Sequence, residues 1–180
     1  MARSRTRVNR GPGHDLLWAP WRSAYVSGSH ARRGCIFCLR SMTAAERRTR
    51  LVLYTDKSGL VMLNRYPYNA GHLMVAPRRH RDSIEGLSPR ERSHLMELVN
   101  GSLQILRRAF APEGFNIGFN LGDVAGAGFA DHLHCHVVPR WKGDNNLMPV
   151  IASTRVISEH LEATYQRLEP LFSKQMTALS

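Results

Sequence analysis

The chain has 180 residues, of which 43% are hydrophobic, so it can form one globular domain with a core. Its formal net charge of +11 at pH 7 favours partners that carry phosphate groups. No apolar run approaches the roughly 18 residues of a membrane span, and the chain does not start with an apolar secretory signal. Only three cysteines occur, and an odd number argues against a disulfide framework. Together with the lack of an apolar span, this leads us to expect a cytoplasmic protein with no membrane partner.

Basic charge is concentrated at the amino terminus. The first fourteen residues contain four arginines and no acidic residue. We predict a disordered basic extension over residues 1–15, one domain over residues 16–172 and a short tail over residues 173–180. The aromatic stretch at 16–28 is expected to lie across the surface of that domain.

The middle of the chain alternates short apolar runs with turn residues, a pattern typical of strands. Strands are predicted within RLVLYTD (50–56), SGLVMLNRYPYN (58–69), GHLMVAP (71–77), GFNIGFNLG (114–122) and ADHLHCHVVPRW (130–141). Leucines at helical spacing after a Ser-Pro start predict one long helix over 88–110, and residues 158–172 have helical periodicity. Strands in succession with one inserted helix indicate an α+β fold with an antiparallel sheet of about five strands.

The segment at 130–141 places a histidine at every second position. In a strand, His132, His134 and His136 would share one side of the sheet, with Leu133 and Cys135 on the other. Three interpretations are open for the histidines: buried core residues, a metal site or a reaction centre. Core packing is disfavoured because three buried imidazoles need many partners. A three-histidine metal site is disfavoured because alternate strand side chains lie roughly 6.5–7 Å apart. The glycine-rich loop at 122–128, whose backbone amides suit phosphate oxygens, favours a reaction centre.

A second cluster of reactive side chains lies in GCIFC (34–38), where Cys35 and Cys38 form a C-x-x-C pair. Such a pair indicates either redox chemistry or zinc binding. Redox chemistry of the thioredoxin type needs a βαβ setting, which this sequence lacks. Two free core cysteines remain the alternative to zinc.

The motif HLHCHVV resembles the signature of the histidine triad family of nucleotide hydrolases and transferases. LNRYPYNAGHLMVAPRRH, EGFNIGFNLGDVAGAG and VVPRW are similar to the bacterial branch of diadenosine tetraphosphate phosphorylases or hydrolases, over roughly residues 16–172. The resemblance implies an α+β domain, usually a two-fold homodimer, and a nucleoside polyphosphate substrate.

The resemblance also implies site residues. His134 would be the nucleophile that forms a nucleotidyl-imidazole intermediate, and His136 would contact the phosphate and protonate the leaving group. The implied nucleotide-binding residues are Asn64 at the ribose, His72 near the site, and Asn120, Gly126, Ala127 and Gly128 at the phosphates. Many relatives have a serine in this phosphate loop, and here its place is taken by Ala127, Gly128 and Phe129.

For the C-x-x-C pair, the resemblance implies a zinc site completed by two histidines. The matching residues are Cys35, Cys38, His80 and His132. Four protein ligands indicate a structural zinc. The triad has no carboxylate cluster beside it, so we expect no catalytic metal ligands from the protein.

These features predict an enzyme that cleaves diadenosine tetraphosphate-type dinucleoside polyphosphates through a nucleotidyl-histidine, with phosphorolysis favoured over hydrolysis. Alternatives are a nucleoside phosphoramidate or adenylate hydrolase, a deadenylase associated with nucleic acid, and a regulatory nucleotide-binding protein without turnover. Nucleic acid is not the favoured partner, because no zinc-finger, helix-turn-helix or RNA-binding sheet motif is present.

Overall fold

The computed structural model describes residues 34–39, 41–144 and 159–176. The predicted basic extension at 1–15 and the aromatic stretch at 16–28 lie outside the described residues. No helix in the described ranges is both long and apolar enough to cross a membrane.

A five-stranded antiparallel sheet forms the centre of the molecule. Its strands are β1 Val52–Thr55, β2 Gly59–Leu63, β3 Leu73–Pro77, β4 Gly114–Phe119 and β5 Cys135–Arg140. The order across the sheet is β1-β2-β3-β5-β4, and every neighbouring pair is antiparallel. The structure therefore confirms the α+β fold with five strands.

Within the described residues, three α-helices accompany the sheet: α1 Ala44–Thr49, α2 Pro89–Phe110 and α3 Leu161–Met176. The long helix α2 begins as predicted, because Ser88 caps it in a capping box with Glu91 and Pro89 occupies the first turn. It ends at Ala111, whose φ of 44° is left-handed, directly before a proline.

Two helices differ from the prediction, one by its presence and one by its end. The short helix α1 was not predicted, although Thr43 and Glu46 form a capping box that is readable as T-x-x-E. Helix α3 continues beyond the predicted end at residue 172 because Phe172 and Met176 lie one turn apart and are both fully buried. The predicted tail from residue 173 thus starts inside α3.

The two faces of the sheet carry different cores. One face, here called the helix face, packs against α2 and α3 through residues such as Val75, Leu106 and Phe172. The opposite face, here called the histidine face, has a smaller cluster of Phe37, Leu39, Val52, Leu60, Met62, Met74 and Ala76. The loop that carries the C-x-x-C pair therefore covers the histidine face.

The turn between β1 and β2 is fixed to α2. Asp56 accepts hydrogen bonds from the amides of Ser58 and Gly59, both at 2.7 Å, and its other oxygen lies 2.9 Å from His94 of α2. A Cβ atom at Gly59 would lie 2.3 Å from Leu98 Cδ1, so a larger residue there would force the Leu98 side chain to shift.

The histidine segment is only partly a strand, which corrects the strand predicted over 130–141. Strand β5 begins at Cys135, so His132 and His134 precede it. His136 is paired with Met74 of β3, on the histidine face, whereas Cys135 is buried in the helix-face core. The prediction that Cys135 and His136 lie on opposite faces of the sheet is correct. His132, in contrast, lies in a bend, and its ring nitrogen is close to Cys35, Cys38 and His80.

Candidate active site

The backbone fixes which nitrogen of His134 can react. Its Nδ1 lies 2.8 Å from the carbonyl oxygen of His132, and a carbonyl only accepts hydrogen bonds, so Nδ1 carries the proton. Burial lowers the pKa of His134 more than this hydrogen bond raises it, so the neutral imidazole is the stable form. Its Nε2 therefore has an unshared electron pair, as a nucleophile requires.

His136 has the complementary arrangement. The amide of Tyr68 donates to Nδ1 of His72 at 3.1 Å, so the proton of His72 lies on Nε2. That Nε2 lies 3.0 Å from Nδ1 of His136 and donates to it. The neutral form of His136 therefore carries its proton on Nε2 and can donate it. The ring centroids of His134 and His136 are 4.9 Å apart, which places a nucleophilic nitrogen and a proton donor side by side.

The structure places His72 behind His136. The His72 side chain is fully buried, and both ring nitrogens have hydrogen-bond partners. Through the bond to Nδ1 of His136, His72 can hold the ring of His136 in a fixed orientation.

Asn64 directly follows β2 and is bonded to the backbone of His72, whose ring contacts His136. Its amide donates to the carbonyl of His72 at 2.9 Å, and its Oδ1 accepts from the amide of Tyr66, also at 2.9 Å. The half-buried side chain is thus held at the border of the site.

The glycine-rich loop is a compact turn braced by Asn120. Gly122 and Gly126 have φ values of 80° and 82°, which few other residues adopt. Asn120 donates to the carbonyl of Gly126 at 3.3 Å, and the amide of Gly126 is bonded to Asp123. Among the described residues, the amide of Gly128 has no hydrogen-bond acceptor. This amide is therefore available to donate to a phosphate oxygen.

The four predicted metal ligands meet at one point. The ligand atoms of Cys35, Cys38, His80 and His132 all lie within 4.8 Å of one another. Nδ1 of His132 lies 3.2 Å from Cys35 Sγ, 3.6 Å from Cys38 Sγ and 3.2 Å from His80 Nδ1. Zinc bonds of about 2.3 Å to sulfur and 2.0–2.1 Å to nitrogen place tetrahedral ligands roughly 3.3–3.8 Å apart. The observed spacing fits such an ion.

The surroundings of His132 also fit a metal ligand. Its Nε2 donates to the carbonyl of Pro77 at 2.9 Å, which leaves Nδ1 free to bind a metal. Burial is the main cause that lowers the pKa of His132, so the ring is neutral. A cavity of about 390 Å³ beside the metal cluster is also lined by Ala127 and Gly128 of the glycine-rich loop.

Sequence reasoning missed two features that hold the site. Phe37 stacks on His134 with ring centroids 4.8 Å apart, and the only sequence signal was its position inside the C-x-x-C pair. Asn69 donates to Pro139 and to Asp144, which also accepts from Arg140. These bonds tie the loop that carries Tyr68 to the end of β5, and no local motif indicated them.

An imidazole with an unprotonated Nε2 next to an imidazole that carries its proton on Nε2 is an arrangement suited to nucleophilic and acid–base catalysis. The chain belongs to the histidine triad (HIT) family: a family model described as "HIT domain" matches residues 45–143. It is therefore a nucleotide hydrolase or transferase of that family.

Individual relatives agree with this assignment. An AP-4-A phosphorylase of Mycobacterium tuberculosis is 36% identical over 94% of this chain and 92% of its own length. A Zn-bound histidine triad family protein of Mycobacterium smegmatis has the same fold, with a TM-score of 0.59 and 22% identity over 81% of this chain and 97% of its own. The Plasmodium falciparum diadenosine triphosphate hydrolase also shares the fold, with a TM-score of 0.57 and 18% identity over 90% of this chain and 99% of its own.

Proposed function

We propose that the chain cleaves dinucleoside polyphosphates of the diadenosine tetraphosphate type through a nucleotidyl group on His134, with inorganic phosphate as the preferred acceptor. The single observation that carries the mechanism is the pair of opposite tautomers, in which His134 has a free Nε2 and His136 a protonated Nε2. The substrate class is supported by the similarity to the M. tuberculosis AP-4-A phosphorylase.

The first step forms a bond between Nε2 of His134 and the α-phosphorus of one adenosine. The bond from that phosphorus to the bridging oxygen breaks, and ATP leaves with the proton of His136 Nε2 on its departing oxygen. In the second step a phosphate oxygen attacks the same phosphorus, the nitrogen–phosphorus bond breaks, and ADP is released. Water as acceptor would release AMP instead. Dividing the displacement into two steps lets one pair of histidines serve both.

The remaining predicted residues bind the nucleotide in this proposal. Asn64, at the border of the histidine pair, would contact the ribose. Asn120, Gly126, Ala127 and Gly128 would hold the phosphates, with the Gly128 amide in the place where relatives have a serine. Negative charge that develops on the phosphoryl oxygens is stabilised best by donors that are already oriented, as in this braced loop.

We further propose that Cys35, Cys38, His80 and His132 hold one structural zinc. The donor set and its spacing support this assignment. When bound, the ion would crosslink the C-x-x-C loop to the histidine segment, and four protein ligands leave it no open position for catalysis.

A homodimer is also proposed. Strand β4 is at the end of the sheet, and its Ile117 is 46% exposed. An exposed edge with an apolar side chain is suited to pairing with a second copy. A sedimentation coefficient that stays at the monomer value throughout the micromolar range would contradict this proposal.

Product analysis with diadenosine tetraphosphate and radiolabelled phosphate tests the proposed reaction. Phosphorolysis should give ATP and an ADP that carries the label, whereas hydrolysis should give unlabelled AMP and ATP. Substrate labelled at the α-phosphorus should yield an acid-labile adduct on His134 after rapid quenching. Turnover without any adduct would mean that the two-step mechanism is wrong.

A further inference from the structure

Phe37 lies where the metal cluster and the histidine pair meet. It stands between the metal ligands Cys35 and Cys38 in sequence, and its side chain is fully buried. Its ring stacks on His134 at 4.8 Å with an interplanar angle of 27°, and lies 5.1 Å from the ring of His132. It also meets Phe129, directly after the glycine-rich loop, edge to face at 6.0 Å. One side chain thus contacts a metal ligand, the nucleophile and the end of the loop.

The backbone on both sides of Phe37 makes its position depend on the two cysteines. The amide of Cys38 donates to the carbonyl of Cys35 at 3.3 Å, and the amide of Leu39 donates to the carbonyl of Phe37 at 2.9 Å. In so tight a turn, Phe37 cannot move independently of the thiolates that flank it. Metal binding by these thiolates would therefore fix the ring as well.

The stacked ring restricts His134. A flat contact at this distance is in the range that aromatic pairs prefer. If the imidazole turned about its side-chain bonds, Nδ1 would leave the carbonyl of His132 and the ring would collide with Phe37. The contact with Phe37 and the hydrogen bond to His132 thus support the same orientation.

His132 provides a second link between the two clusters. Its ring nitrogen belongs to the metal-ligand set, and its carbonyl oxygen accepts the proton of His134. The metal cluster therefore reaches the nucleophile both through the backbone of His132 and through the side chain of Phe37.

We propose that Phe37 is a positioning residue that makes the orientation of His134 depend on metal binding at Cys35 and Cys38. This inference rests on the proposed nucleophilic role of His134 and on the proposed zinc site. The metal then has a role beyond folding. It fixes the ring of Phe37, and this ring holds Nε2 of His134 in the orientation needed to attack phosphorus.

The test compares Phe37→Leu with Phe172→Leu in the full-length, zinc-loaded protein. Both phenylalanines are fully buried, but Phe172 lies in the helix-face core, away from the histidines. Each change removes one aromatic ring from a core, so the pair separates a local effect on His134 from a general loss of packing. If Phe37→Leu does not fold, Phe37→Met, whose unbranched side chain adapts to irregular gaps in a core, takes its place.

The first readout needs no substrate. Long-range proton–nitrogen NMR of the histidine rings should show His134 of the wild type and of Phe172→Leu as a single tautomer with the proton on Nδ1. Phe37→Leu should show a mixture of tautomers or exchange broadening at His134 even when elemental analysis finds one zinc per chain. Removal of zinc from the wild type with a chelator should change the His134 signals in the same direction.

The second readout is the rate of adduct formation at saturating substrate. Phe37→Leu should be slower by at least about tenfold, because small misplacements of reacting groups cost up to ~10²-fold. Its affinity for a methylene-bridged substrate analogue should stay within about twofold of the wild type, and Phe172→Leu should match the wild type in both.

The experiments distinguish a failure of the proposed role of Phe37 from a failure of the proposed function. If zinc-loaded Phe37→Leu keeps a single His134 tautomer and reacts at the wild-type rate, Phe37 has no positioning role. If the wild type itself forms no adduct with any nucleotide, the proposed function is wrong, while the NMR comparison still decides whether Phe37 orients His134.

Discussion

The helix face and the histidine face of the same sheet are built in different ways. Among the described residues, the helix-face core has nineteen buried members, most of them aliphatic and spaced with the period of their strand or helix. The cluster on the histidine face has seven, and two of them, Phe37 and Leu39, come from an irregular loop. The helix face buries the larger apolar surface, which stabilises the fold. The histidine face is held by hydrogen bonds, ring contacts and the proposed metal site.

This contrast predicts that substitutions on the two faces have separable effects. On the histidine face they should change chemistry, or metal content together with the stability that the metal provides. On the helix face they should change the free energy of unfolding. The following experiments probe the contrast.

The largest expected effect is the loss of chemistry in His134→Ala. Turnover and adduct formation should fall by at least ~10³-fold, since removal of a catalytic nucleophile has effects of that order or more. Nucleotide affinity should change little, because Asn64, Asn120 and the glycine-rich loop, which we propose bind the nucleotide, remain. Rapid-quench labelling measures the first quantity and calorimetry with a substrate analogue the second. Unimpaired turnover in this variant would falsify the role of His134.

The change His136→Ala should slow adduct formation by roughly 10²–10⁴-fold, the usual contribution of a general acid. The defect should be smaller for an adenylate ester whose leaving group is acidic enough to depart without a proton. His72→Ala provides a matched comparison, because it removes the donor to His136 Nδ1 but not the acid itself. It should show a weaker form of the same leaving-group dependence. Equal defects for good and poor leaving groups would argue against proton donation.

Cys35→Ser should lower zinc content and thermal stability together, because the binding energy of a structural metal is part of the folding energy. We expect a loss of about 4 kcal/mol or more, a fraction of the ~10–16 kcal/mol seen for structural zinc. Cys135→Ser is the control for zinc content, since Cys135 is not among the metal ligands, so any loss of stability in this variant should leave the zinc content unchanged. Elemental analysis and thermal unfolding measure both effects, and metal-free protein of full stability would rule out a structural zinc.

Leu106→Ala tests the helix face. Leu106 is fully buried in the helix-face core, and its truncation should reduce the free energy of unfolding by about 2–5 kcal/mol. Denaturant titration measures this loss. The rate of adduct formation in the folded fraction should stay near that of the wild type. A large kinetic defect in this variant would show that the two faces are coupled more tightly than the contrast predicts.

The smallest expected effect concerns the thiol of Cys135. Burial raises the pKa of Cys135 to about 11, so below that pH the neutral thiol predominates. Iodoacetamide should therefore modify Cys135 negligibly at pH 8, whereas denatured protein should react at this residue. Mass spectrometry of the modified peptides distinguishes Cys135 from Cys35 and Cys38. Rapid labelling of Cys135 in the folded protein would contradict its place in the helix-face core.

The sequence predicts the helix face better than the histidine face for a physical reason. Period-2 and period-3.6 patterns follow from strand and helix geometry, so the strands and α2 are readable locally. The start of β5 was misjudged because alternation alone does not reveal that His132 is turned toward the cysteines. The tautomers of His134 and His136 depend on the His132 carbonyl and on Tyr68, contacts that exist only after folding. Phe37 and the Asp144 network were missed because no spacing rule indicates a contact between a loop and a distant ring.

The pairing of β3 with β5 has a consequence for how the chain folds during synthesis. Strands β1, β2 and β3 pair with their sequence neighbours and can form a meander as soon as Pro77 has left the ribosome. The centre of the sheet joins Leu73 to Val137, so it stays open until α2, β4 and β5 have followed. Non-local pairings of this kind are slow to form because loop closure comes before any gain in contacts. Nascent chains that end before Arg140 therefore lack the complete strand that positions His136, and the protein acquires its chemistry only after β5 has been synthesised.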